Sequence, residues 1–529
     1  PSLTVPNAAT EMVSIGGSAS DYSTRSFFGR LNYAYKQRYL FEANLRYDGS
    51  SRFDKSNRFG VFPSFSGAWR ISEEAFMDGS RSWLDNLKLR ASWGKLGNNS
   101  VGNYAYQATY NSVNYSLGGT AVSALAANSI ANSLLQWEST AITNIGLDML
   151  MLHNRLTVEL DAYHKLTDGI LYQPSIYLTM GVKTAPYKNI AEVKNRGIET
   201  TIGWSDRKGA VDYFIKGNLA YNKNEVSKYK GTYETGWVVG ENGEKTYKTN
   251  IGDVSTGSAT RVVEGKTMNE YYLLKPYSGN GSHFNADGSV NIAGGPKDGM
   301  IRTEEDMSWL TAMVAAGYNF YPNQTINKSK IWYGDYIYAD SNGDGIYGNS
   351  YDSNFMGSSS LPKFNFGLQM GASYKNIDVS MNWAGAADFD LLWGPVVGYN
   401  STGTRIGYGL MKDVAYNHYF YDPANPNDER TNLYAKYPRL TCNESSSQNA
   451  QQSSLFLYSG DYLKLKNLTV GYTLPSVIAK RVLTQSIRLY FSGENLFTIT
   501  SFPGQDPELG ASPGYTSIKQ ISFGANITF

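Results

Sequence analysis

Asp340-x-Asn342-x-Asp344-Gly345, followed by Ile346 and then Asp352, is the one run in this sequence with the spacing of a metal loop. Calcium takes hard oxygen ligands at alternating positions around a tight glycine turn, and this order of residues supplies them. The closing carboxylate comes late: the twelfth position is Tyr351, and the ninth, Gly348, has no side chain. Two expectations follow, a structural calcium held by Asp340, Asn342, Asp344, Ile346 and Asp352, or a glycine-punctuated surface turn. The overlapping Gly343-x-Gly345-x-x-Gly348 is formally a dinucleotide fingerprint, but no helix follows it to receive a phosphate. No other cofactor is expected.

Catalytic chemistry finds little support. His153, His164, His283 and His418 do not pair at metal-ligand spacing, and Cys442 is the only cysteine. No serine sits in a sharp elbow with evident His and Asp partners. The aromatic side chains Trp237, Trp309, Trp332, Tyr333, Trp393, Tyr399 and Tyr408 fall in or beside long loops. Flat rings there could stack on sugar rings or cover apolar peptide side chains, as a ligand platform. The alternatives are packing of loop on loop and contact with a covering protein.

The elements that would carry these loops are strands. Ile521, Phe523, Ala525, Ile527 and Phe529 alternate with Ser522, Gly524, Asn526 and Thr528 at the end of the chain. A two-residue period gives one apolar and one polar face, and nine residues suffice for a tilted strand to cross a bilayer. The same alternation recurs at 39–48, 87–94, 156–163, 213–222 and 487–492. At Asn467 the phase slips, which marks a candidate bulge. Short connections near 35–38, 72–83, 152–155, 205–211, 265–268, 374–377 and 475–485 separate long ones near 97–134, 168–190, 225–258, 279–361, 388–460 and 498–514. Short turns on one rim and long loops on the other describe a transmembrane antiparallel β-barrel, with turns periplasmic and loops extracellular. This partition gives about 14–15 strands.

Composition agrees with an all-β class. Tyrosine numbers 41 and glycine 53, a bias that suits aromatic girdles at both membrane interfaces. A secreted carbohydrate-binding sandwich would share that bias. Net charge is +1, so no nucleic-acid partner is suggested. No apolar run approaches the length of a membrane helix.

Arg46–Phe76 (RYDGSSRFDKSNRFGVFPSFSGAWRISEEAF), Leu87–Ser100 (LKLRASWGKLGNNS), Asp461–Pro475 (DYLKLKNLTVGYTLP) and Ile487–Glu508 (IRLYFSGENLFTITSFPGQDPE) resemble, in order, segments of the SusC/RagA family of TonB-dependent outer-membrane transporters. The resemblance implies a barrel of about twenty-two strands, a plug and a TonB-contacting segment. Residues 26–529 then correspond to the carboxy-terminal part of the barrel and 1–25 to a lead-in or extracellular loop, with plug and TonB box outside this chain. It also implies a SusD-like surface lipoprotein, the TonB complex, outer-membrane lipid and the barrel-assembly machinery as partners, the last reading Ile521, Phe523, Ala525, Ile527 and Phe529. A dimer of two transporter–lipoprotein pairs is an allowed assembly. The expected function is energy-coupled import of oligosaccharides or peptides, without catalysis. A passive porin or adhesion scaffold is the competing expectation, and a surface hydrolase a third.

Overall fold

The computed structural model describes residues 19–173, 179, 181–182, 185–393, 412–440, 448–511 and 515–529. The chain divides into two compact units, Pro1–Trp204 with Lys223–Lys230, and Ser205–Asn222 with Gly231–Phe529. In the first, strands β1 (Thr24–Tyr35), β2 (Tyr39–Ser50), β3 (Phe59–Arg70), β4 (Leu84–Asn98), β5 (Glu138–Met151), β6 (Leu156–Tyr172) and β7 (Lys188–Lys208) form an antiparallel meander. Each pairs with its successor. In the second, β8 (Val211–Lys228, of which Val211–Asn222 belongs to this unit), β9 (Phe364–Tyr374), β10 (Ile377–Ala387), β11 (Tyr462–Thr473), β12 (Ser486–Glu494) and β13 (Gln520–Thr528) do the same. Short Thr498–Thr500 extends the ladder beside β11.

Register converts the sequence alternation into continuous rows. In the first unit, Tyr33, Phe41, Gly67, Ala91, Ile145, Ala162 and Ile198 pair in line across seven strands. The adjacent row reads Asn32, Glu42, Ser66, Ser92, Asn144, Tyr163 and Gly197. In the second unit Ile215, Met370, Met381, Leu468, Gly493 and Ile521 line up beside Lys216, Gln369, Asn382, Asn467, Glu494 and Gln520. A one-residue slip in any strand would exchange its two faces, so this phasing fixes which side meets hydrocarbon. The apolar rows lie open: Tyr33, Phe41, Leu45, Ile145, Ile198, Phe523 and Ile527 are all exposed. Among the described residues, no helix is long and apolar enough to cross a membrane.

The predicted phase slip is a β-bulge. Asn382 pairs with Asn467 and Trp383 with Leu465, leaving Lys466 as the extra residue. Without it, Lys464 and Asn467 could not both lie on the polar side.

One predicted turn is corrected. Residues 265–268 do not join two membrane-crossing strands, because β8 pairs directly with β9 and everything between them is one long excursion. Within it Thr256–Gly257, Thr260–Val262, Glu270–Leu273 and Asn354–Phe355 make a small sheet. These strands are too short to cross a bilayer, and Glu270, Tyr271, Tyr272 and Leu273 are buried on both faces rather than alternating.

Candidate functional site

The polar rows carry ion pairs built over glycines. Arg90 on β4 reaches across Gly146 on β5 to Asp161 on β6, with both Nη atoms 2.6 Å from the carboxylate. Its Nε lies 2.8 Å from Asp148, which also takes Lys88 at 2.7 Å. A Cβ on Gly146 would stand 2.5 Å from the guanidinium carbon, so only glycine admits this crossing. The second unit repeats the device. Arg488 pairs with Asp378 across Gly471, where a Cβ would again strike the guanidinium. Arg30–Glu42 adds another pair, and a hollow of about 600 Å3 in the first unit is lined by Arg30, Glu42, Ser66, Lys88, Arg90 and Asn144. Paired charge on every second residue suits a water-filled interior and would be costly against lipid.

Lys464, only 2% exposed, anchors the last long loop. Its ammonium lies 2.6 Å from Asp506, 2.9 Å from Glu508 and 3.0 Å from Ser517, while Lys466 also grips Glu508.

The excursion between β8 and β9, joined by the loop between β10 and β11, forms a folded body with its own core. Helix α1 (Glu304–Ala315) starts at a capping box, in which Thr303 Oγ1 accepts from the Asp306 amide and Asp306 accepts from the Thr303 amide. It buries Trp309, Leu310 and Met313 against Met300, Ile301, Phe320, Ile337 and Tyr338. The two loops are joined by Arg439, whose Nε and Nη2 donate to the two oxygens of Asp335 at 2.7 and 2.8 Å. Asn449 and the Trp332 amide complete the shell, each at 2.8 Å. Burial pushes the Asp335 carboxyl above its usual range, against the pull of Arg439.

The aromatic residues singled out from sequence separate into two groups. Trp309 (0% exposed), Trp393 (4%) and Tyr333 (8%) are buried in loop cores, and half-buried Trp332 packs edge-on against Tyr333 at 5.2 Å. Their rings face protein. Tyr399 and Tyr408 lie outside the described residues. Trp237 is 44% exposed, its Nε1 donating to the Asn342 carbonyl at 2.9 Å. Tyr247 meets it edge-on at 5.5 Å and Tyr351 meets Tyr247 at 5.8 Å. Sequence reading missed these two tyrosines; alternation around the Glu241-Asn242-Gly243 turn was the available signal for the hairpin that presents Tyr247.

Next to this strip lies the Asp340–Asp352 loop. Asp340 accepts from the amides of Gly343 (2.7 Å), Asp344 (3.2 Å) and Gly345 (2.9 Å). Asp352 accepts from Ser341 (2.6 Å), Gly348 (2.8 Å) and Asn349 (3.0 Å), and Asp344 from the Ile346 amide at 2.8 Å. These carboxylates are directed at N–H groups of the loop itself. Among the described residues, no three His, Cys, Asp or Glu side chains converge to hold a metal. Burial, with Asp340 nearby, pushes the Asp352 carboxyl up to about 6.

Residues 2–252 match the family model described as TonB dependent receptor-like, beta-barrel. The chain is 27% identical to a TonB-dependent receptor of Formosa agariphila, over 95% of this chain and 45% of that protein. It is 28% identical to the TonB-dependent receptor SusC of Bacteroides thetaiotaomicron, over 92% of this chain and 42% of that one. The fold is similar to the solved RagAB peptide transporter, with a TM-score of 0.70, 21% identity, and coverage of 96% of this chain and 47% of that chain. The chain therefore spans somewhat less than half the length of the curated relatives it matches.

Proposed function

We propose that this chain, which is similar to TonB-dependent receptor β-barrels of the bacterial outer membrane, forms part of the wall and extracellular rim of an energy-coupled nutrient importer. The observation that carries this reading is the phased pairing of open apolar rows with ion-paired polar rows, the arrangement of a lipid-bounded aqueous passage. The extended loop body, with its own buried core, suits a gate for large cargo more than a diffusion pore for small solutes.

The cargo in this reading is an oligosaccharide or a peptide, captured with the help of a SusD-like surface lipoprotein that closes over the loops. Trp237 and Tyr351 offer exposed rings on which a sugar or apolar side chain would stack, with half-buried Tyr247 set edge-on between them. Work is done by gating: cargo must stabilise the closed state more than the open one, and TonB supplies the pull that releases it. No catalytic step is invoked. The barrel-assembly machinery would read the last strand through Ile521, Phe523, Ala525, Ile527 and Phe529, all of them exposed.

Deletion of TonB is expected to abolish uptake by cells carrying the whole protein while leaving cargo binding intact. Uptake that persists would overturn energy coupling and favour a passive barrel, which planar-bilayer conductance would then show as an open pore.

A further inference from the structure

The turn between β11 and β12 carries a short helix, α2 (Ser476–Arg481), whose side chains are open except for Ala479. It ends in a Schellman motif: the Thr484 amide donates to the Ala479 carbonyl at 3.1 Å and the Leu483 amide to the Lys480 carbonyl at 3.2 Å. Leu483 holds the left-handed position of that motif, with φ of +58, where glycine is the usual residue. Ala479 and Thr484 are buried, whereas Leu483 is 89% exposed, and Val477, Ile478 and Val482 are open with it. In water a bulky apolar side chain in this conformation, with nothing of its own chain to cover it, is unfavourable on both counts.

Continuity with the lipid-facing rows shows where these side chains can go. Ile377, Tyr472 and Leu489 pair in line across β10, β11 and β12, and the neighbouring row on the same face is Val379, Val470, Phe491 and Phe523. Tyr374, at the end of β9, pairs with Ile377. Tyr374, Ile377, Tyr472 and Leu489 are all exposed. The Asn376 side chain donates to the Thr473 carbonyl at 2.8 Å, tying this turn to the strand that leads into α2. The apolar face therefore ends in two tyrosines, a residue type that settles at membrane–water boundaries, and α2 follows directly.

Charge points the same way. From Asn467 to Gly493 the chain has no Asp or Glu, and α2 ends in Lys480 and Arg481. Both are exposed, and neither is ion-paired among the described residues. Lys375 stands over the Tyr374 ring at 5.1 Å, and Asp378 is taken by Arg488. Open aliphatic side chains beside unpaired cations match the layer where acyl chains meet anionic headgroups. Cores of protein–protein interfaces are poor in lysine, which disfavours a protein occupant.

We propose that α2, with Val482 and Leu483, is an interfacial foot on the periplasmic rim. It sinks Val477, Ile478, Val482 and Leu483 among acyl chains and holds the phosphate of an acidic phospholipid with Lys480 and Arg481. Only the barrel register is required, whether the barrel is an importer or a passive pore.

The test places the full-length transporter, carrying Cys442→Ser, in vesicles of phosphatidylethanolamine with a minor fraction of phosphatidylglycerol. An environment-sensitive fluorophore is attached to a cysteine at position 483, or at position 208 in the polar turn between β7 and β8 on the same rim. Retained heat-modifiable migration confirms that each barrel folds. Quenching by a nitroxide-labelled lipid is expected to be several-fold stronger at 483 than at 208. Nitroxide-labelled phosphatidylglycerol should quench the 483 label about fivefold more than equally labelled phosphatidylcholine, and Lys480→Gln/Arg481→Gln should erase that preference. Leu483→Gly, read from a label at position 482, should lower quenching about twofold by removing the anchor. Glycine suits the left-handed position, so a purely structural role for Leu483 would leave that signal unchanged and overturn the proposal. Quenching at 483 no stronger than at 208 also overturns it. So does a 483 label that is shielded only when the periplasmic domain of TonB is added, which assigns the turn to a protein partner. Equal quenching by the two nitroxide lipids overturns the acidic headgroup.

Discussion

The strand ladders and the loop body of the second unit treat the same side chains in opposite ways. On the strands Phe491 and Phe523 pair across β12 and β13 with Phe523 fully open, and charges such as Asp378 and Arg488 are matched on the other face. In the loop body Trp309, Phe320 and Tyr338 are wholly buried, and Asp335 is buried among them. The difference is one of solvent. A strand with lipid on one side and water on the other sorts residues by parity, whereas a body surrounded by water gathers apolar groups into a centre. Substitutions that respect one logic should therefore fail in the other region.

The largest effect is expected at the buried ion pair. Asp335→Ala leaves the Arg439 guanidinium without its carboxylate in a site closed to water, a loss of about 3–5 kcal/mol. Limited proteolysis should then cut within 274–347 or 412–440 while the strands keep heat-modifiable migration. Cleavage unchanged from the parent protein would break the claim that the loop body has a separate core. Phe523→Ser should do the reverse. It removes about 1.5–3 kcal/mol of apolar contact from a lipid-facing position and lowers the yield of assembled barrel. Loops that reach the surface in that variant should resist protease as before.

Asp352 sharpens the comparison through pH. Its folded-state pKa, about 6, lies above the ordinary carboxylate value of 3.8 because burial disfavours the charge. The sign follows: the folded loop favours the protonated form, so this contribution to stability is present below about 3.8 and is lost as pH rises through about 6. Protection of the Ser341 and Gly348 amides against hydrogen exchange should fall across that window, by an amount on the order of 1–2 kcal/mol. Bound calcium would hold Asp352 ionised and reverse the slope. Added calcium that raises protection at pH 7 therefore supports the metal expectation for Asp340, Asn342, Asp344, Ile346 and Asp352. Identical profiles with calcium and with chelator would assign the loop to its own amides.

Parity made the ladders legible in advance. The run from Ile521 to Phe529 and the slip at Asn467 both follow from a period of two, and register preserves them from strand to strand. The loops lack such a rule. The turn expected at 265–268 failed because Tyr271, Tyr272 and Leu273 are apolar without alternating, which fits a buried short strand as well as it fits a crossing one. Trp309 was read as a loop aromatic, yet Thr303-x-x-Asp306 ahead of Met307, Leu310 and Met313 was a capped amphipathic helix, and that pattern requires a local core. The Asp335–Arg439 pair was out of reach, since more than a hundred residues separate its partners.

The smallest predicted effect tests whether loop aromatics that escaped the core serve cargo. Trp309 and Trp237 are chemically identical, but one is enclosed and the other lies open beside Tyr247 and Tyr351. Trp309→Ala should cost about 3–5 kcal/mol of loop stability and lose cargo binding only by unfolding the body that presents it. Trp237→Ala should leave proteolysis of the loops unchanged and weaken cargo binding about five- to tenfold, roughly 1 kcal/mol, the scale of a single stacked ring. Trp237→Phe separates the two things the indole does, since it keeps a flat face while removing the Nε1 donor to Asn342. If the Phe variant binds as the parent does and the Ala variant does not, stacking is the contribution. If both lose binding alike, the indole's hold on the Asp340–Asp352 loop is what matters, and the aromatic strip is a strut rather than a platform.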